Sequence, residues 1–209
     1  MKELTLDNFK QMLRHALTRI NERQAEFSQL DAILGDGDHG TAMVTAMNAA
    51  VEAAEKGTEF KSMLNDMGFN VMLQSSGSTS TLLGAFFLGM SDSVSGTSLN
   101  VADVQTMFAG GLKNVRSQTK AQKGDKTMMD ALIPAVEAIE NSTSGELEDI
   151  LEAGARAAHE GAEKTTGLKA AFGRARNYGD RSIGTADPGA KSWACMLSAF
   201  TESLKDLKI

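Results

Sequence analysis

One cysteine, two prolines, one tryptophan and one tyrosine among 209 residues remove several architectures at once. A lone Cys195 makes no internal disulfide, and without further thiols or a His-x-x-x-His pair a zinc site has no ligand set. No apolar run is long enough to span a bilayer, and the opening Met1-Lys2-Glu3-Leu4 lacks the apolar stretch of a secretory signal. The expectation is a cytoplasmic protein with no membrane partner. Basic charge is short as well: 21 Lys and Arg face 27 Asp and Glu, for a net charge of -6, and they are scattered. Nucleic acid needs a concentrated basic face, so it is excluded as a partner. No proline-rich, serine-rich or charge-run linker divides the chain, and 209 residues suffice for one substantial core, so residues 1–209 are read as a single domain.

Strand-like alternation is missing too, and the apolar pattern is helical almost throughout. Phe9, Met12, Leu13, Ala16, Leu17 and Ile20 recur at three-and-four spacing, with Thr5 or Asp7 as the cap. The same spacing predicts helices over Thr41 to Lys56, Phe60 to Leu73, Leu99 to Arg116, Thr127 to Glu140, Gly145 to Lys164 and Lys191 to Leu207. Leu82 to Met90 is apolar on every side, which predicts a helix surrounded by others. Pro134 interrupts one of these runs and predicts either a kink or two shorter pieces. About eight helices and no sheet leave no doubly wound nucleotide fold, so any phosphate must be held by loops at helix ends. The twelve methionines sit at helical spacing and read as core filler, except Met128 at a loop-helix junction.

What is present in quantity is glycine beside carboxylate. Leu30 to Thr41 places Asp31, Asp36 and Asp38 around Gly35, Gly37 and Gly40, just ahead of an alanine-rich helix. Carboxylates this close repel unless a cation sits between them, and hard divalent ions bridge such groups to substrate phosphates. An EF-hand is excluded in either register, since Met47 or Ala42 stands where a ligand is required. The segment reads as a magnesium-phosphate site, with a solvated turn as the alternative.

Three further glycine-rich loops precede helices: Ser75 to Thr81, Gly124 to Thr127, and the long stretch Thr165 to Gly189. Hydroxyls and free amides at a helix start attract anions, although Ser78-Thr79-Ser80 lacks the lysine of a Walker A loop and also fits a simple cap. The 165–189 stretch mixes arginine, tyrosine, aspartate and glycine and suits a lid over a nucleotide, mobile without ligand and ordered with it. His39 either donates to a phosphate or orients an aspartate, while His15 and His159 fall within helices and read as structural.

Gly35-Asp36-Gly37-Asp38-His39-Gly40, Gly77-Ser78-Thr79-Ser80, Gly124-Asp125-Lys126-Thr127-Met128 and Arg181 to Ala190 stand in the order seen in the nucleotide-binding L subunit of dihydroxyacetone kinase, which the chain resembles over nearly its whole length. The resemblance implies an all-α fold, a closed up-and-down barrel of about eight antiparallel helices with the nucleotide site in loops at one end. It implies that Asp31, Asp36 and Asp38 bind two Mg²⁺ ions on ADP or ATP. His39, Gly40, Thr41, Ser78 and Thr79 then line the phosphate and ribose region, and Met128, Arg174, Asp187 and Gly189 close around the nucleotide. The chain departs from the family at Ser78 and Thr81, where glycines are usual, and at Thr119 ahead of the Gly124 loop.

The resemblance further implies a phosphotransferase that needs partners, because a domain holding the ketone through a histidine is not among these residues. In the phosphotransferase-coupled form, a phosphocarrier M subunit rephosphorylates bound ADP, which then serves a ketone on a K subunit. A homodimer is a further expected assembly. Two other readings remain: a separate ATP-dependent subunit for dihydroxyacetone or another short ketose, and a non-catalytic nucleotide-sensing regulator.

Overall fold

The helices begin where short polar side chains accept the first free amides. Thr5 Oγ1 accepts the Asn8 amide at 3.2 Å and starts α1 (Leu6–Glu22), so Thr5 rather than Asp7 is the cap. Asn100 and Asp103 cap each other's backbone at the start of α6 (Val101–Gln118). Asp187 accepts the Ala190 amide at 2.7 Å, and Pro188 occupies the first turn of α9 (Pro188–Asp206), where its missing N–H costs nothing.

The computed structural model describes residues 1–74 and 77–206. Within them the other helices are α2 (Gln24–Leu34), α3 (His39–Lys56), α4 (Phe60–Gln74), α5 (Ser78–Ser91), α7 (Met129–Glu140) and α8 (Leu147–Lys164). Two 3-10 segments, Thr165–Gly167 and Arg174–Ser182, lie between α8 and α9. The protein is all-α apart from a short antiparallel ribbon, β1 (Glu3–Thr5) on β2 (Ser98–Asn100).

Among the described residues there is one α-helix more than the apolar pattern predicts. Residues 24–34 bury only Phe27 and Leu34, too few to mark a face, yet they form α2. The ribbon escaped the pattern for a similar reason: with three residues per strand, only Leu4 and Leu99 turn inward. α5 begins at Ser78 rather than Leu82, and the predicted end at Leu207 lies outside the described residues.

Pro134 neither splits α7 nor ends it. The proline leaves the Asp130 carbonyl without its helical donor, and Gly161 of α8 packs directly onto that oxygen, where an added Cβ would stand 1.9 Å away.

Packing follows chain order. α3 lies on α4, α4 on α5, and so on to α8 on α9, while α1 packs against both α3 and α9, and α2 sits outside on α3 and α9. Their shared interior is lined with fully buried Phe9, Phe60, Phe86, Phe87, Phe108, Trp193 and Phe200 together with methionines 12, 43, 47, 63, 67, 90, 107 and 196. Phe86 stands at its centre, edge-on to Phe108 at 6.0 Å and to Trp193 at 5.1 Å. Such pairs add about 0.5–1.5 kcal/mol to the burial of their rings.

From α3 onward the chain reverses at each connection, so the starts of α3, α5, α7 and α9 meet at one end. The ribbon closes the other, where Lys10 donates to the carbonyls of Glu55 and Gly57, Phe60 to that of Gly96, and Leu147 to that of Met1.

Candidate functional site

Asp31 stands in the last full turn of α2, not in the glycine turn itself, and this changes how the three carboxylates meet. Gly35 lets the chain fold back against it: a Cβ there would fall 2.3 Å from Asp31 Oδ1. Gly37 then takes a left-handed φ of 79°, which costs glycine little and leads into α3. The turn brings one oxygen from each of Asp31, Asp36 and Asp38 within 4.8 Å of the others. The His39 amide donates to Asp31 Oδ2 at 3.3 Å, and the Arg174 guanidinium pairs with Asp36 from across the opening. An all-oxygen, all-anionic donor set suits a hard cation of the magnesium kind, and its own repulsion is relieved by one.

His39 is more constrained than the sequence reading allows. Ser192 Oγ donates to the Gly189 carbonyl at 3.0 Å and sits 2.8 Å from His39 Nε2, so it accepts from that nitrogen. Nδ1 is then the acceptor for the Thr79 hydroxyl at 3.2 Å. Burial lowers the imidazole pKa, so the ring is neutral at physiological pH, and both its nitrogens tie the start of α3 to those of α5 and α9.

Around these groups lies a cavity of about 420 Å³. The carboxylates of Asp31, Asp36 and Asp38 form one side and Gly77, Ser78 and Thr79 a second, while Leu34, Leu82, Met128, Phe172 and Trp193 give it an apolar wall. Gly173, Arg174 and Ala175 line it too, as do Asp187 and Gly189 at the start of α9. Polar ends with an apolar wall suit a ligand that is part phosphate and part aromatic ring.

Ten of the twelve site residues named from sequence therefore line one cavity: Asp31, Asp36, Asp38, His39, Ser78, Thr79, Met128, Arg174, Asp187 and Gly189. Gly40 and Thr41 do not. A Cβ on Gly40 would meet the Gln24 carbonyl at 2.1 Å, so its place is the contact between α3 and α2, and Thr41 is exposed and bonded to Gln24. Asp187 acts as a helix cap, and burial raises its pKa to about 7. Ser75 and Ser76 of the hydroxyl loop lie outside the described residues.

Of the apolar wall the sequence reading named only Met128. Trp193 carried the helical spacing of a core residue, and it is one, yet its edge also reaches the cavity. Lys126 was read as part of an anion loop. Its ammonium instead points to the carbonyls of Thr165, Leu168 and Thr185, at 2.7, 3.1 and 2.5 Å.

Comparisons with known proteins place the chain in a family. The family model described as "DAK2 domain" matches residues 33–202. The chain is 31% identical over 213 residues to the PEP-dependent dihydroxyacetone kinase 2, ADP-binding subunit DhaL, of Listeria innocua, with 98% of this chain and 99% of that one covered. It is 34% identical to the L-erythrulose 1-kinase of Mycolicibacterium smegmatis, with 88% of this chain covered but only 33% of that protein. Among solved structures it is similar to the dihydroxyacetone kinase from C. freundii in complex with AMP-PNP and Mg²⁺. There the TM-score is 0.69 at 22% identity, covering 93% of this chain and 33% of the other. The chain thus spans about a third of these two larger kinases.

Proposed function

The chain belongs to the DAK2 domain family, and on that footing we propose that it is the ADP-binding subunit of a dihydroxyacetone kinase, a phosphotransferase that works only with partners. It receives a phosphoryl group from a phosphocarrier M subunit and passes it to a ketone held on a K subunit. The observation that carries this reading is the meeting of Asp31, Asp36 and Asp38 with the Gly77–Thr79 loop and Arg174 around one cavity, in a chain similar over 98% of its length to an ADP-binding subunit.

Residues 1–209 act as one domain, and the helices close into an up-and-down barrel. The support is the packing order, in which α3 through α9 follow one another and α1 joins α9 back to α3. Asp31, Asp36 and Asp38 would hold two magnesium ions, whose charge would offset that of the nucleotide phosphates.

The chain's own groups supply the rest. The Gly77–Thr79 turn offers amide donors and the Ser78 hydroxyl at the start of α5, where the helix dipole favours anions, while the Thr79 hydroxyl is held by His39. Arg174 exchanges Asp36 for a phosphate oxygen when nucleotide enters. Neutral His39 holds Thr79 and Ser192 in place without adding charge. Met128, Phe172 and Trp193 take the base and exclude water from that side.

The likeness to an erythrulose kinase supports a second reading, an ATP-consuming kinase component for a short ketose. Retention separates the two. Protein carried through extensive washing is expected to keep ADP, and with K subunit, phosphocarrier and phosphate source it turns over many times on that ADP. Sustained turnover on ATP with the K subunit alone selects the second reading, and ketose phosphorylation by the isolated chain overturns both.

A further inference from the structure

Lys126 is 2% exposed, and each of the three N–H donors of its ammonium has its own backbone carbonyl. Burying an ammonium costs several kcal/mol unless it is well coordinated, so a lysine in this position is held for what it places rather than for its charge. Its backbone is held deliberately as well. Lys126 has the only left-handed φ, 61°, of any non-glycine among the described residues. The Asp130 carboxylate fixes that conformation by accepting the Gly124 amide at 2.6 Å and the Thr127 amide at 2.9 Å.

The three carbonyls come from both ends of the segment that lines the cavity. Thr165 and Leu168 open that segment and Thr185 closes it, so the ammonium draws its two stems together. Neighbouring bonds tighten the same base: the Gly184 amide donates to the Thr166 carbonyl at 2.8 Å, and the Asp187 amide to Thr165 Oγ1 at 2.9 Å. Phe172 and Arg174 reach the cavity from the tip of this segment, and Asp187 from its end.

We propose that Lys126 is a positioning residue: it clamps the base of the 165–187 segment and so sets where Phe172, Arg174 and Asp187 stand against a bound nucleotide. The proposal rests on the nucleotide reading above. With all three donors committed to carbonyls, Lys126 has none left for a phosphate, unlike the lysine of a P-loop. The carboxylates of Asp31, Asp36 and Asp38 belong to α2 and the turn after it, which Lys126 does not touch.

Lys126→Met keeps the stem and removes the donors, and Lys126→Arg restores charge and donors. Hydrogen exchange, ADP titration in Mg²⁺ and counting of bound Mn²⁺ by electron paramagnetic resonance, all on the full chain, form the test. In Lys126→Met, exchange across 165–187 is expected to accelerate while α3 to α6 stay protected. ADP affinity falls by about tenfold or more, Mn²⁺ affinity does not fall, since loosening Arg174 only frees Asp36, and Lys126→Arg recovers part of the ADP loss. Unchanged ADP affinity or unchanged segment exchange in Lys126→Met overturns the proposal while the wild type still binds ADP. Parallel loss of ADP and Mn²⁺ also overturns it, because that marks general loosening. A wild type that binds no ADP in Mg²⁺ overturns the nucleotide reading and this proposal together. If Lys126→Met does not fold, lysine-ammonium NMR of the wild type decides. The Lys126 signal is expected to stay protected and unshifted when Mg²⁺ and ADP are added, and a large shift identifies a phosphate ligand and overturns the clamp.

Discussion

The two ends of the helical body are built on opposite plans. At the ribbon end the connections 57–59, 92–97 and 141–146 are short, and backbone bonds such as Phe60 to Gly96 and Leu147 to Met1 tie them down. At the cavity end 119–128 and 165–187 are long, and every left-handed φ among the described residues is found there or in the adjoining turns, apart from Gly96. Of the large apolar side chains exposed among the described residues, Ile33, Leu73 and Ile183 also belong to the cavity end, and Phe69 lies in the second half of α4. One end is made to hold helices together, and the other spends backbone strain and apolar exposure to bring chemistry to a point.

The sharpest way to break this contrast is to damage the body and the site separately. Phe86→Ala removes the ring at the centre of the aromatic cluster and is expected to cost about 3–5 kcal/mol of unfolding free energy, read by denaturant titration. Asp38→Asn is the converse. Mg²⁺-dependent ADP affinity is expected to fall by about a hundredfold, or 2.7 kcal/mol, in calorimetric titration, while the helical circular dichroism spectrum and melting temperature hold or rise as carboxylate repulsion is relieved. A parallel loss of melting temperature in Asp38→Asn breaks the separation of body and site.

A smaller effect concerns pH. The Asp187 carboxyl titrates near 7 in the folded chain and at an ordinary carboxylate value when unfolded, so between those values the folded state binds the extra proton. This group's contribution to stability is fully present below the unfolded value and is lost as pH rises through about 7. Asp187→Asn keeps an acceptor for the Ala190 amide and should flatten that decline in melting experiments between pH 5 and 8. The smallest effect belongs to the surface of the body. Arg14 and Glu55 pair at 2.6 Å but are about half exposed, so Arg14→Ala is expected to cost under about 0.5 kcal/mol.

How much of this was legible in the sequence divides along the same line. The body repeats one physical signal, an apolar stripe at helical spacing, and five of the predicted helices, α3, α4, α6, α7 and α8, appear close to both of their expected bounds. α2 stayed hidden because two buried side chains do not make a stripe. At the cavity end, local chemistry was readable where it is local: Gly35, Gly37 and the three aspartates lie within one short stretch. The roles of His39 and Lys126 were not, because each depends on partners far along the chain, Ser192 for the first and Thr165 to Thr185 for the second. Single-residue types do not encode such distant acceptors.

Trp193, the chain's one tryptophan, has a further consequence. It stands edge-on to Phe86 in the body and also forms part of the cavity wall. The protein thus carries a single tryptophan, which can be excited apart from Tyr178, at the junction of its two halves. Its emission should redden when the body unfolds and should be quenched or shifted, without reddening, when a base stacks into the cavity. One unlabelled sample read at two wavelengths would then follow folding and ligand occupancy as separate signals.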